Sequence, residues 1–156
     1  MAGYTMETDP DTTSRALGKE IPVSPKHSRE ICSMIRGMEV SKAVDTLNEI
    51  SEGKRPVPMR RYKKRVSHKK GVGPGRYPQK AAKAILKVVE SAMHNAEYKG
   101  LDADTMTVRV IASHLGRTIK GYQPRAYGRA TPWNQQTVNI EVILEEMESS
   151  GSGGTD

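Results

Sequence analysis

Two stretches in the second half of the chain alternate apolar and polar residues with a period of two. Met106, Val108, Val110 and Ala112 interleave with Thr105, Thr107 and Arg109, and Val138, Ile140, Val142 and Leu144 interleave with Thr137, Asn139 and Glu141. Successive side chains on a strand point to opposite faces, so each stretch predicts a strand with one buried face. A third strand is expected over residues 15–23, where Leu17, Ile21 and Val23 share a parity. Gly18 and Pro22 within it assign it to the edge of a sheet.

Elsewhere the spacing turns helical. Ser24 and Pro25 form a helix start, Ile31, Met34, Ile35 and Met38 recur on one face, and Gly37 supplies a stop. A second short helix carries Val40, Ala43, Val44, Leu47 and Ile50 on its apolar side and ends at Gly53. Pro78 opens the third, with Ile85, Val88, Val89, Ala92, Met93 and Ala96 as its stripe and Gly100 beyond its end. These elements predict an α+β domain: three helices packed on a small three-stranded antiparallel sheet. Residues 1–14 read as a flexible lead and 15–146 as a single domain, and the Gly/Ser-rich acidic residues 147–156 read as a disordered tail.

Two segments fit none of these elements. Residues 54–77 hold three prolines and a cluster of glycines, so they read as an irregular basic insertion before the third helix. Residues 116–134 separate the two alternating strands, and structureless connections beyond ~12–15 residues are uncommon in compact domains unless functional or disordered. If the flanking strands continue outward instead, the path from Thr105 to a tip near Arg125 spans ~60 Å at ~3.3 Å per residue. A domain of this length has a radius of gyration of only ~15 Å. The expectation is a long β-hairpin protruding from the body.

Charge changes the picture here. The net charge is +7, but its distribution says more than its sum. Between residues 54 and 80 stand Lys54, Arg55, Arg60, Arg61, Lys63, Lys64, Arg65, Lys69, Lys70, Arg76 and Lys80 without a single acid. Between 105 and 140 stand five more cations, again with no acid, and Arg117, Lys120, Arg125 and Arg129 belong to the hairpin. An anionic partner is implied, with these fifteen named residues as candidate phosphate contacts. Tyr122, Tyr127 and Trp133 lie in the same hairpin as candidates for stacking on bases. A general nucleic-acid-binding protein of the chromatin type fits this chemistry as well as an RNA-binding one.

At the hairpin the sequence becomes specific. PRAYGRA (residues 124–130) resembles the signature of the large-subunit ribosomal protein twenty-two family, and SMIRG (33–37), ESAMHNAEYKG (90–100) and VNIEVILEE (138–146) agree with it in the same order. The insertion ending in GRYPQKAAKA (75–84) is similar to the archaeal and eukaryotic branch. The resemblance implies a structural constituent of the large ribosomal subunit that binds its ribosomal RNA. It implies a body near the exit of the nascent-polypeptide tunnel, a hairpin lining that tunnel, and neighbouring ribosomal proteins as further partners.

Other chemistry finds little support in the sequence. GRTIKGYQ (116–123) lacks the Lys-Ser/Thr of a phosphate-binding loop, and GVGPG (71–75) lacks the spacing of a dinucleotide fingerprint. His27, His68, His94 and His114 are scattered, and the one cysteine, Cys32, gives no zinc spacing and is expected to be a small buried hydrophobe. No catalytic constellation, metal or cofactor is expected. The polar, acidic start without an apolar run, and the absence of ~18 consecutive apolar residues, lead to the expectation of a cytoplasmic protein with no membrane-spanning segment.

Overall fold

In a computed structural model, residues 3–146 are described. The elements in chain order are β1 (Thr13–Ile21), α1 (Pro25–Ile35), α2 (Val40–Glu52), β2 (Val57–Pro58), β3 (His68–Lys69), β4 (Gly73–Arg76), α3 (Gln79–Tyr98), β5 (Thr107–Ile119), β6 (Tyr122–Pro124), β7 (Ala130–Pro132) and β8 (Gln135–Glu145). The main sheet has the order β1-β8-β5 and is antiparallel throughout. This is the α+β arrangement of three helices and a three-stranded sheet that the patterns predict, with β1 at the edge.

The helices form where the stripes place them. Ile31 and Ile35 of α1, Leu47 and Ile50 of α2, and Ile85 of α3 are fully buried against Met106, Ile140 and Leu144. Each such side chain contributes roughly 1.5–3 kcal/mol of transfer free energy. α1 and α3 lie on the sheet, while α2 packs chiefly on α3. Arg36, just past α1, donates from Nη2 to the Ile111 carbonyl at 2.9 Å, and Gly37 N donates to the Val108 carbonyl at 2.8 Å. The chain leaving α1 is thereby stitched to β5.

Simple alternation fails in three places, each for a local reason. In β5 the register shifts between Val108 and Val110, so Arg109 is an extra residue facing no partner of its own. A bulge of this kind flips the faces beyond it. Ile111 is therefore fully buried, while Val110 and Ala112 are only half-buried. In β1 the core-facing residues are Ser14 and Ala16 rather than Leu17, and an irregularity between Gly18 and Ile21 returns Ile21 to the core. The third departure is in β8, which is buried on both faces: Glu141 and Ile143 are inaccessible as well as Ile140, Val142 and Leu144.

What covers the second face is the described part of residues 1–14. Thr5 donates to the Glu141 carboxylate from its backbone N at 2.9 Å and also from its hydroxyl. His114 Nε2 lies 3.2 Å from the same carboxylate. Tyr4 stacks under the Arg15 guanidinium at 5.7 Å, and Arg15 also donates to the Thr8 carbonyl. The tail expected over residues 147–156 lies outside the described residues.

Candidate RNA interface

The connection between β5 and β8 is a ribbon. Ile119 pairs with Gln135, Trp133 N donates to the Gly121 carbonyl at 2.6 Å, and Tyr122, Gln123 and Pro124 pair with Pro132, Thr131 and Ala130. Arg125 N then donates to the Arg129 carbonyl at 2.8 Å and closes the tip. A second bulge marks its root, where Gly116 and Arg117 together oppose Thr137, whose hydroxyl donates to the Arg117 carbonyl at 2.7 Å. A Cβ on Gly116 would stand 2.6 Å from that hydroxyl oxygen, so a larger residue there would have to displace the Thr137 side chain from its bond to Arg117.

At the tip Tyr127 takes φ 57° and Gly128 φ 65°. Two successive left-handed residues give the tight reversal that hairpin turns use, and the non-glycine one is held in a sparsely populated region. The turn presents Tyr127 at 98% exposure. Leu115, Ile119, Tyr122 and Trp133 are also exposed along the ribbon. No second layer covers them. Arg117, Lys120, Arg125 and Arg129 are exposed beside these apolar groups; Arg125 Nε reaches Thr131 Oγ1 at 3.2 Å across the tip.

The other eleven candidate cations gather on the body. The insertion is not structureless: β2, β4 and β3 form a small antiparallel sheet in that order. Val57 and Met59 anchor it in the core, and the buried Glu30 of α1 accepts from Arg60 N at 3.2 Å and Arg61 N at 2.9 Å. One acidic side chain thus pins the start of a strongly basic loop by its backbone, leaving the loop's own charges outward. Arg60, Arg61, Lys63, Lys64, Arg65, Lys70, Arg76 and Lys80 are exposed, and Lys69 is half-buried with its ammonium 5.4 Å from the Tyr77 ring.

Two of the eleven differ. Lys54 pairs with Glu52 at 2.5 Å and Arg55 with Glu49 at 3.3 Å, so acids at the end of α2 already face them. The remaining nine form no ion pair among the described residues. The structure therefore brings the sequence candidates into two groups, one on the insertion and one on the ribbon. A groove of about 800 Å³ runs beside the first group, lined by Arg55, Arg60 and Lys63 together with Met34, Met38 and Pro58.

Sequence reasoning set His27 aside and missed Lys26 and Tyr62; the three share a smaller cavity with Arg61, Lys64 and Arg76. The Lys26 ammonium and the Arg61 guanidinium lie 5.4 and 5.9 Å from the Tyr62 ring centre. The only available signal was a basic pair at a helix start, too weak to single out. Cys32 is buried, and burial pushes its thiol up to about 12, which leaves it inert. Among the described residues no cluster of His, Cys, Asp or Glu is placed to hold a metal, and no helix is long and apolar enough to cross a membrane.

Comparison with known proteins decides the family. The profile described as "Ribosomal protein L22p/L17e" matches residues 16–145, which is nearly all of the described chain. The chain belongs to that family. Its similar relatives include the "Large ribosomal subunit protein uL22" of Methanocaldococcus jannaschii, 51% identical over 146 residues, covering 92% of this chain and 94% of the relative. The protein of the same description from Methanopyrus kandleri is 49% identical over 144 residues, covering 90% and 91%. That from Methanothrix thermoacetophila is 53% identical over 137 residues, covering 86% and 90%. Membership in the L22p/L17e family agrees with the tip and insertion motifs, and the archaeal relatives agree with the branch the insertion resembles.

Proposed function

We propose that this L22p/L17e family member is a structural, non-enzymatic constituent of the large ribosomal subunit, binding large-subunit ribosomal RNA through its insertion and ribbon. The body sits near the exit of the nascent-polypeptide tunnel, and the ribbon runs inward so that its tip lines the tunnel wall. Neighbouring large-subunit proteins and the nascent chain are its other partners, and its place of action is the ribosome in the cytoplasm.

One observation carries this reading: a paired ribbon leaves the body with exposed aromatic rings, four cations and no acid. Two-stranded ribbons are marginal in water alone. A partner that supplies negative charge along the ribbon and flat faces for its rings is therefore required, and folded RNA offers both. Membership in the ribosomal family supports the same partner, as do relatives described as large-subunit proteins. A protein that merely coats DNA has no need of a protruding arm tipped by a strained tyrosine.

The test places a photo-reactive phenylalanine analogue at Tyr127 in assembled subunits that hold a radiolabelled nascent chain. Cross-links to both the nascent chain and large-subunit RNA are expected. Cross-links to solvent-side proteins alone would overturn the tunnel assignment. Release of the protein from large subunits in a high-salt wash, with equal affinity for duplex DNA at matched salt, would favour general nucleic-acid binding.

A further inference from the structure

Between the first turn of α1 and the basic insertion lies a cavity of about 330 Å³. Three separate parts of the chain supply its cations: Lys26 from α1, Arg61 and Lys64 from the loop after β2, and Arg76 from the end of β4. His27 and Tyr62 complete the wall, and Met59, 3% exposed, closes the floor. No carboxylate lines the cavity. Glu30, one turn along α1 from His27, is occupied by the backbone N–H groups of Arg60 and Arg61.

Four positive charges around one concave space repel each other. His27 lines the same space. Burial, then Arg76, then Lys26 lower its pKa from the ordinary histidine value, so the ring is held neutral among cations. Tyr62 holds the Lys26 and Arg61 head groups over its ring, as the distances given above show. These charges are thus positioned before any ligand arrives, which lowers the ordering cost of binding one. At a water's share of about 30 Å³, the volume equals roughly eleven waters, more than a lone phosphate needs.

We propose that this cavity is a built seat for one backbone phosphate and its ribose from an RNA strand, with Lys26, Arg61, Lys64 and Arg76 neutralising the phosphodiester and His27 recruited as a further donor on binding. The proposal rests on the RNA-binding reading above and adds to it a defined point of attachment. An anion among the cations offsets the Arg76 and Lys26 charges, though not the burial, that lower the His27 pKa, so its midpoint rises in the complex. A ligand that raises a group's midpoint binds more tightly to the protonated form. RNA affinity at this seat therefore increases as the pH falls through the window between the bound and free His27 midpoints. The charged or titratable groups facing His27 in that window are Lys26 on its own helix, Arg76 on β4, and Arg61, Tyr62 and Lys64 on the insertion.

The experiment follows the His27 ring resonances of the full chain by NMR across pH. It compares free protein, protein with inorganic phosphate and protein saturated with hexauridylate, and uses His94 on α3 as an internal control. Hexauridylate is expected to raise the His27 midpoint by about one pH unit or more, with a corresponding roughly tenfold gain in affinity on the acid side. Arg76→Gln and Lys64→Gln, both at exposed positions, should each cut that shift while leaving the circular dichroism spectrum unchanged. His27→Gln should abolish the pH dependence of affinity. Binding of hexauridylate with no movement of His27 would overturn the seat while leaving the RNA reading intact. A full shift from inorganic phosphate alone would make the cavity a free-anion site and overturn the RNA assignment for it. Failure of the chain to bind both hexauridylate and large-subunit RNA would overturn the broader reading, and the seat with it.

Discussion

Trimming the ribbon should leave the body folded, and the pairing shows where to cut. Ile119 and Gln135 are the last partners before the ribbon's outer part, so replacing residues 120–134 with Asn-Gly creates a two-residue hairpin on a paired rung. The fifteen residues removed contribute nothing to the buried core. Three cross-strand pairs between β6 and β7 are lost, at roughly 0.2–1 kcal/mol each. Shortening the closed loop from fifteen residues to two returns about 2 kcal/mol of chain entropy. The opposing contributions nearly cancel, so stability should change by no more than about 2 kcal/mol. That corresponds to a Tm shift below about 8 °C for a chain this size. Ile85→Ala, which empties part of the core, should instead destabilise by roughly 2–5 kcal/mol. Thermal unfolding followed by circular dichroism compares the two. Loss of a cooperative transition in the trimmed chain, or a larger Tm drop than Ile85→Ala gives, would show that the ribbon is part of the folding unit and refute this reasoning.

Three further outcomes are expected. Replacing Arg60, Arg61, Lys63, Lys64 and Arg65 together with Ala should flatten the salt dependence of binding to large-subunit RNA, each lost phosphate contact reducing the log–log slope by up to about 0.9; filter binding at several salt concentrations measures it, and an unchanged slope means these cations face solvent in the complex. Amides of residues 120–131 should exchange rapidly in the free protein and slowly in assembled subunits, because both faces of the ribbon are open to water until RNA covers them; hydrogen exchange with mass spectrometry reads this directly. At Glu141, burial alone would raise the carboxyl, yet hydrogen bonds from Thr5 and His114 together hold it below the usual carboxylate range. Its stabilising contribution is complete above the ordinary carboxylate value and is lost as the pH falls through the lowered folded value, so Thr5 amide protection should drop in acid and Glu141→Gln should remove that dependence.

Much of this was readable before any coordinates. α2 follows its sequence stripe closely, from Val40 to the Gly53 stop, because a single amphipathic face against one neighbour is what helical spacing encodes. The ribbon announced itself as a long acid-free connection between two strands of clear period. The bulges at Arg109 and at Gly116–Arg117 did not, since one extra residue leaves apolar composition unchanged while reversing the faces beyond it. Glu141 read as a solvent-facing position because alternation is blind to a segment arriving from 136 residues earlier to cover it. The cavity of Lys26, His27 and Tyr62 was hidden for a related reason. Its walls come from α1, the loop after β2 and β4, and none of the three pieces is distinctive alone.

The bulge at Gly116 and Arg117 also fixes how the arm can move. Both strands of the ribbon are direct extensions of β5 and β8, and β8 is the buried centre of the sheet. The core thus clamps the arm's base as a wall clamps a beam, and compliance concentrates where the ladder is interrupted. From Gly116 to Ala126 the chain spans about 33 Å at ~3.3 Å per residue. A rotation of about 10° at that root swings Tyr127 through roughly 6 Å, on the order of one strand spacing, while leaving every core contact in place. On the proposed function, the tip can therefore find its seat before the body docks, and RNA closing around the arm would turn a pivoting beam into a fixed strut.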